Sequence, residues 1–588
     1  MKAFKRLFCS MLVAFVCQIN TWAQENQSYF LHTVEKGQSL YSIASMYGLP
    51  IEEIVKFNPG SEQKIYVGNS LRIPRTSGNT QQETYHTIKA GETLYRLTVQ
   101  YNISAQEICD ANPGLSASNF RIGQVIRIPQ VSQENNASTA ITTPAAPVEP
   151  KCKDMHKIKR KETVFSISKK YGITEDELIA ANPELKDKTK LKKGNYLCIP
   201  YPSAQNTKAN NNENIPTDSQ LFNDNKKKSE HYQTIKAAII LPFGENIPKS
   251  ESARMVEYYE GLLVAIDSLK RTGTSIDLHV YNSGAENSSI KPLLEKPELK
   301  EMEIIFGPLY QSHIQPLSDF TRKHQIRLVV PFKQNNAVFR NPYIYQINTP
   351  QSYLYSEVYD HFLRMFTKSN VIFIESTDAG TKDKADFIKG LKDELRNHAI
   401  SFKSMNESAT SEELATALDA TKSNIFIPTS GSSLTLIKIL PQLVLMVREK
   451  PEAVVHLFGY PEWQTYTKDF LDSFFELDTY FYSSFYTNNL LPTAIKFTDT
   501  YRKWYNKDME ERYPKFGMLG FDTGYFFLKG LSNHGSNFEQ EMSKMSNIIP
   551  IQTGFKFDRV NNWGGFINKK VFFVRFTKNH ELIKLDFD

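Results

Sequence analysis

The apolar positions of this 588-residue chain follow one rule in its first third and another beyond it. In the stretch that begins at His32 they fall at Leu40, Ile43, Ala44 and Tyr47, and in the stretch from His156 at Val164, Ile167 and Tyr171. Steps of three and four give a helix one buried face. Ser39, Thr93 and Thr163 stand just before these runs, where a hydroxyl can accept a bond from a first-turn amide. Short strands are predicted ahead of the caps at residues 32–34, 86–88 and 156–158, and a second short helix behind them ends at Asn58-Pro59, Asn112-Pro113 and Asn182-Pro183. Closing strands carry LRIP (71–74), IRIP (126–129) and LCIP (197–200), so each unit reads β-α-α-β. The distance from His to Asn is 26 residues every time. One small unit is built three times.

From Thr234 the pattern changes. The first strand, KAAIILPF (236–243), is almost continuously apolar, as a strand buried on both faces would be. A helix carrying Tyr258, Leu262, Leu263 and Ile266 follows, then IDLHVYNS, EIIFGPL and IRLVVPF. Beyond Gln346 a second alternating set begins: NVIFIES (370–376), a helix near 384–395, NIFIPTSG (424–431), a helix near 434–447, and AVVHLFG (453–459). Alternation of strand and helix predicts parallel sheets, and two sets predict two Rossmann-like lobes.

Composition divides the chain further. Residues 76–84 form a short polar linker, 131–151 a Pro/Ala/Thr-rich extended one, and 202–232 an Asn/Lys/Ser-rich tether. The three units therefore occupy 30–75, 85–130 and 152–201, and the two-lobed domain 233–588. Net charge is +6, and residues 151–200 alone hold 13 Lys or Arg against 7 Asp or Glu, so the basicity belongs to the third unit. Residues 1–23 read as a secretory signal peptide: Lys2, Lys5 and Arg6, an apolar run from Leu7 to Val16, then Thr21-Trp22-Ala23. Cys17 fits a lipoprotein signal poorly, because Phe15 and Val16 stand where small residues are wanted. No later segment has the ~20 apolar residues of a spanning helix, so an exported, envelope-associated protein is expected. Cys109 aligns with Val55 and Ile179 and reads as a core residue. Cys152 and Cys198 flank the outer strands of unit three, and an antiparallel pairing in an oxidising compartment predicts a disulfide between them.

The repeated unit resembles the LysM domain, whose strand, Gly-Asp-Thr-Leu turn, helix, Asn-Pro and final Ile-Pro are matched by KGQSL, AGETL and KETVF with their Asn-Pro and LRIP, IRIP and LCIP sequences. The resemblance implies binding of N-acetylglucosamine polymers, peptidoglycan or chitin, in a shallow groove between two loops. Carried onto this chain, the loop residues are Gly37, Gln38, Ser39 and Leu40 with Pro59 and Gly60, and Gly91, Glu92, Thr93 and Leu94 with Pro113 and Gly114. Glycine permits the close backbone approach that an acetamido sugar needs. The family aspartate is Gln38, Glu92 or Glu162 here, and Lys161 replaces the turn glycine of unit three. Repetition on tethers would raise avidity for a polymer.

The long domain resembles the type I periplasmic binding proteins, such as branched-chain amino-acid receptors, most closely in IIFGPLYQSHIQPLSDFTRKHQIRLVVPF, NPYIYQINTPQSYLYSEVYDHFL and KFGMLGFDTGYFFLKGL. Ligands of open α/β sheets lie beyond the carboxyl ends of the strands. Those ends nominate Phe243, Pro308, Tyr310, Gln311, Gln334, Ser376, Asp378, Ser430, Tyr460 and Trp463. Amino-acid receptors of this fold carry small hydroxyl residues where Tyr310-Gln311 and Lys333-Gln334-Asn335 stand. An unknown small solute and a cell-envelope protein, such as a cell-wall synthase or hydrolase that the chain would activate or scaffold, both remain open as its partner. No HxH, HExxH, G-x-S-x-G, GxxxxGK[ST] or GxGxxG occurs, and no cysteine follows Cys198, so no metal, cofactor or catalysis is expected; a cell-wall hydrolase is the rival reading. Basic and aromatic residues do not interleave as nucleic-acid binding would need.

Overall fold

Asparagine explains how the first two small units close. In the computed structural model, which describes residues 29–35, 38–62, 65–74, 84–129, 154–157, 163–171, 178–179, 196–199, 217–224, 230–244, 246–376, 383–487, 489, 491–547 and 550–587, the Asn58 amide donates to Ile54 O (2.8 Å) and Arg72 O (2.7 Å) and accepts from Arg72 N (2.8 Å). Asn112 does the same with Ile108 O, Arg127 O and Arg127 N, at 2.8, 2.7 and 2.8 Å. One side chain thus ties the end of the second helix to the closing strand. Proline next in sequence then stops the helix.

The strands are β1 (Tyr29–Thr33) with β2 (Ser70–Pro74), β3 (Thr84–Thr87) with β4 (Val125–Ile128), and β5 (Asp154–Lys157) with β6 (Tyr196–Ile199), each pair antiparallel. His32, His86 and His156 face Leu71, Ile126 and Leu197, so the register repeats with the sequence. Between the strands of the first two modules lie helices Leu40–Tyr47 and Ile51–Phe57, and Leu94–Tyr101 and Ala105–Ala111. Ser39 and Thr93 cap as expected, accepting from Ser42 N and Arg96 N. Gly48 and Asn102 end the first helices in the left-handed region, at φ 66° and 52°.

The third module, with helix Val164–Tyr171, belongs to a separate unit spanning residues 131–216. Its outer strands pair as expected and set Met155 opposite Cys198, but Cys152, Lys161 and Glu162 lie outside the described residues.

In the long domain, lobe 1 is a seven-stranded sheet built from β7 (Ile235–Leu241), β8 (Ile276–Asn282), β9 (Ile304–Phe306), β10 (Arg327–Val330) and β11 (Ile344–Gln346) with a later hairpin. Lobe 2 is built from β12 (Asn370–Glu375), β13 (Phe402–Asn406), β14 (Asn424–Pro428), β15 (Val455–Gly459) and β16 (Thr479–Ser483). The chain returns to lobe 1 for β17 (Phe557–Arg559) and β18 (Phe566–Asn568), then ends in lobe 2 with β19 (Phe572–Phe576) and β20 (Leu582–Leu585). Strand orders are β17-β18-β11-β10-β9-β7-β8 and β13-β12-β14-β15-β16-β19-β20. All neighbours run parallel except β17–β18, β16–β19 and β19–β20. The two lobes expected from the alternation are present, and each gains strands from the far end of the chain.

Helix Lys249–Lys270 crosses helix Phe516–His534 at backbone contact. A Cβ on Gly261 would sit 1.8 Å from Gly517 O, and one on Gly520 1.9 Å from Tyr258 O. Only hydrogen fits at both crossings.

The linkers do not hold the first two modules apart from this domain. Residues 1–130 and 217–588 form one unit, and Phe30, Ile43, Met46, Tyr47 and Tyr85 share a single buried cluster with Val338, Phe339, Ile344 and Trp563 of lobe 1. Reading residues 76–84 and 202–232 as linkers gives no sign of this docking.

Gly261→Ala is expected to cost about 3 kcal/mol through overpacking at the helix crossing. Chemical denaturation of the chain measures it, and Gly273→Ala, where a Cβ meets nothing within 4 Å but φ is +91°, should cost less.

Candidate functional site

The loops that line the expected sugar grooves of the first two modules are set by a triad that both repeat. His32 joins Tyr47 Oη through Nδ1 (2.7 Å) and Gln38 Oε1 through Nε2 (2.8 Å). His86 joins Tyr101 Oη (2.8 Å) and Glu92 Oε2 (2.7 Å) in the same way. Gln38 Oε1 also accepts from Glu35 N (2.9 Å), and Glu92 Oε2 from Lys89 N (2.8 Å). The position where the family carries aspartate therefore locks the turn, and the histidine that precedes it is an internal strut. Burial lowers the His32 pKa against the opposing pull of Gln38. Burial raises that of Glu92, but the Lys89 N–H and His86 together hold it below the ordinary carboxylate value.

Module 1 keeps one rim of its groove open. Pro59 and Gly60 are exposed, a Cβ on Gly60 would meet nothing within 4 Å, and Gly60 N donates to Glu62 Oε2 (2.8 Å). Ser39 is exposed at the other rim, Gln38 and Leu40 are half-buried, and Gly37 lies outside the described residues. Tyr66 and Val67 of the same module are also exposed.

Module 2 is closed by its own chain. Gly114 N donates to Asn562 O of the β17–β18 turn (2.8 Å), and a Cβ there would lie 2.6 Å from Arg559 Cδ. Helix Asp218–Asp224 meets both helices of the module: Asp218 Oδ1 accepts from Leu94 N (2.8 Å), and Phe222 is buried in a cluster with Leu94, Leu97 and Leu115. Leu94 is wholly buried, Thr93 half-buried, and Gly91 and Pro113 remain exposed. Residues Asp218–Asp224, read from composition as part of a tether, form a helix whose Leu221 and Phe222 pack on the module's apolar face. Cys109 is half-buried in that cluster, and burial pushes its thiol up to about 11.

The cleft candidates divide between the lobes. In lobe 2 the strand ends are occupied by mutual contacts. Tyr460 and Trp463 are core residues: Tyr460 Oη donates to Pro428 O (2.5 Å) and Trp463 Nε1 to Gly431 O (3.1 Å). Ser376 Oγ donates to Glu407 Oε2 (2.6 Å), Lys438 pairs with Glu407 (3.1 Å), and Lys384 pairs with Glu462 (2.6 Å). Ser430 is buried and accepts from Ser432 N; Asp378 lies outside the described residues. In lobe 1 Tyr310 is buried and donates to Glu251 Oε2 (2.9 Å), Pro308 is buried and Phe243 half-buried. Gln311 and Gln334 are exposed, and both line a cavity of about 430 Å³ whose far wall is Ser39 and Tyr41 of module 1. Sequence reasoning nominated Gln311 and Gln334 but missed that wall, which lies some 270 or more residues earlier in the chain.

Comparisons with known proteins agree with the repeat pattern. The LysM domain family matches residues 32–74, 86–129 and 156–200, so the chain carries three LysM domains. An N-acetylmuramoyl-L-alanine amidase, sle1, of Staphylococcus epidermidis is 24% identical over 159 residues, 26% of this chain and 47% of that protein. An autolysin of Enterococcus faecalis is 28% identical over 165 residues, 26% of this chain and 22% of that protein. The chain thus spans less than half the length of either relative, and the likeness runs through the LysM region. Among solved structures, an ABC transporter substrate-binding protein from Desulfitobacterium hafniense in complex with Leu aligns over 60% of this chain and 100% of that one, at 11% identity and TM-score 0.33. A leucine binding protein, LivK, from Thermotoga maritima aligns over 60% and 97%, at 15% identity and TM-score 0.31. The two-lobed α/β architecture rests on the sheet orders above.

Glu92 carries a pH dependence whose sign follows from its lowered pKa: the turn is stabilised above the unfolded value near ~4.3 and loses that support as pH falls below it. Glu92→Gln, which copies Gln38 of module 1, is expected to keep the turn and abolish this dependence. Amide-exchange protection at Lys89 between about pH 5 and 3 reads it directly.

Proposed function

We propose that this chain is an exported, non-catalytic peptidoglycan-binding protein that holds a two-lobed receptor-like domain at the cell wall. The observation that carries the reading is the threefold LysM match, together with the exposed Pro59–Gly60 rim of module 1. The groove residues named for module 1 are glycines, a proline and neutral side chains, which suit an uncharged acetamido sugar. In this reading Gln38, Ser39, Leu40, Pro59 and Gly60 are the primary groove residues, and Gly37, outside the described residues, is assigned with them by the LysM pattern. The corresponding residues of module 2 serve docking to Asn562 and Asp218 in this structure. A disulfide between Cys152 and Cys198 would brace the third module.

Co-sedimentation with purified peptidoglycan tests this. The full chain should pellet with the polymer, and deletion of residues 30–200 should abolish it; retained binding after the deletion would remove the LysM domains from the role.

A second reading, docking of a cell-wall synthase or hydrolase on lobe 2, has its own support. Helix Ser433–Glu449 exposes Leu434, Ile437 and Leu445 in helical spacing, while the adjoining strand ends are closed by ion pairs. A photocrosslinker at Ile437, used in cells that make the protein, should trap one such enzyme under this reading; exclusive capture of glycan-free self-dimers would reject it.

A further inference from the structure

The cavity between module 1 and lobe 1 has a wall chemistry that nothing in either part explains alone. Its lining comes from the start of helix Leu40–Tyr47, from helix Gln311–His324, from residues 334–339 and Gln346, and from the start of helix Gln351–Phe366. Lobe 2 strand ends contribute nothing to it. Among the described residues, none that lines it is Asp, Glu, Lys, Arg or His. Six carry side-chain amides: Gln311, Gln315, Gln334, Asn335, Asn336 and Gln346.

These amides are held to different degrees. Asn335 donates to Gln346 Oε1 through both N (2.8 Å) and Nδ2 (3.0 Å), which fixes a buried pair in the wall. Asn336 Nδ2 donates to Tyr41 Oη (2.8 Å) and links the two halves of the site. Gln311 and Gln334 are exposed and make no side-chain hydrogen bond among the described residues. Tyr41 is 56% exposed at the mouth, and Ile314, Phe339 and Tyr353 supply apolar surface within.

A free amino acid would bring two charges to walls that offer no charged side chain among the described residues, and an unpaired charge is unfavourable where it is desolvated. A neutral ligand bearing amide and hydroxyl groups meets its match, because each Gln or Asn amide both donates and accepts. The exposed tyrosine face suits the C–H face of a sugar ring. A cavity of about 430 Å³ falls within the roughly 300–1,000 Å³ of ligand pockets.

We propose that module 1 and lobe 1 together form a composite saccharide site for a short, neutral, acetamido-bearing sugar, with Gln311 and Gln334 as its free hydrogen-bonding groups and Tyr41 as its stacking face. The site shares Ser39 with the groove at Pro59–Gly60 but is otherwise walled by Tyr41 and lobe 1, and the inference rests on the glycan-binding reading above. Its ligand is either the end of a glycan strand or a fragment released from one.

Calorimetric titration of the full chain with N,N′-diacetylchitobiose tests the proposal. Wild-type protein should bind the disaccharide, while Gln311→Leu, Gln334→Leu and Tyr41→Ala should each weaken binding tenfold or more, with thermal unfolding unchanged for the two exposed glutamines. Tyr41→Phe, which keeps the ring and loses the link to Asn336, should bind better than Tyr41→Ala. Titration with L-leucine should give no heat. If wild-type protein ignores the disaccharide, if the glutamine variants bind it as tightly as wild type, or if leucine competes, the composite site is overturned. Peptidoglycan co-sedimentation separates the two levels: a wild-type chain that pellets but lacks disaccharide binding loses only this site, whereas one that does not pellet loses the glycan reading as a whole. Pelleting that excess free disaccharide reverses, but not in Gln334→Leu, would assign the site to strand ends; pelleting indifferent to it would assign the site to released fragments.

Discussion

The turn between β17 and β18 is the constraint on which the arrangement of both modules depends. Asn561 Oδ1 accepts from Trp563 N (2.9 Å) and Gly564 N (2.5 Å), and Arg559 reaches Gly564 O (2.6 Å) while lying over the Phe566 ring. Glycine is needed at 565, where a Cβ would meet Ile344 O at 2.4 Å. The turn so braced projects Trp563, only 2% exposed, between Tyr47 and Tyr85, with ring centroids 6.1 and 5.2 Å away. Asn562 meanwhile donates to Val125 O and accepts from Gly114 N. A single turn therefore grips the first helix of one module and the groove loop of the next. Aromatic contacts of this size bring large apolar burial together with preferred ring geometry.

Much of this was legible in the residues, and the parts that were not have physical reasons. The β-α-α-β unit could be read because its determinants are local: Ser39 reaches Ser42, and Asn58 reaches Ile54 and Arg72, within one repeat. The lobes could be read because parallel strands buried on both faces leave long apolar runs such as IIFG and AVVHLFG. Docking could not be read. Trp563 and Tyr85 look like ordinary core residues, and nothing in their neighbours' sequence says that they share a core. Tyr460 and Trp463 follow a strand end as ligand residues would, yet Gly459 admits the Trp463 ring against its own backbone and both aromatics turn inward. The same blind spot hid Asp218, whose carboxylate finds its amide 124 residues upstream.

Electrostatics separate the two halves of the long domain. Lobe 2 spends its charged groups on one another: Arg575 makes two bonds of 2.7 Å to Asp478. Burial alone would raise the Asp478 pKa, but Arg575 and His456 hold it down at about 2. Lobe 1 places buried pairs such as Arg327 with Glu539 behind its sheet and leaves amides toward module 1. Paired charges fix orientation at a desolvation cost that only close geometry offsets. Neutral amides leave a surface that a polar, uncharged partner can enter without breaking an ion pair.

Sequence order gives the braced turn a kinetic meaning. Asn562 closes its bond to Val125 across 437 residues, so the first two modules can complete their own helices and strands long before their shared partner exists. Until the last strands of the chain fold, the Tyr47–Tyr85 face stands uncovered. Contacts of such separation form late and slowly. The local contacts within each of these modules, by contrast, span few residues, so they do not wait on the β17–β18 turn. The Gly114 loop of module 2 and the Tyr47–Tyr85 face are thus covered by one partner, whose Asn562 lies 437 residues further along the chain than Val125 of module 2's closing strand.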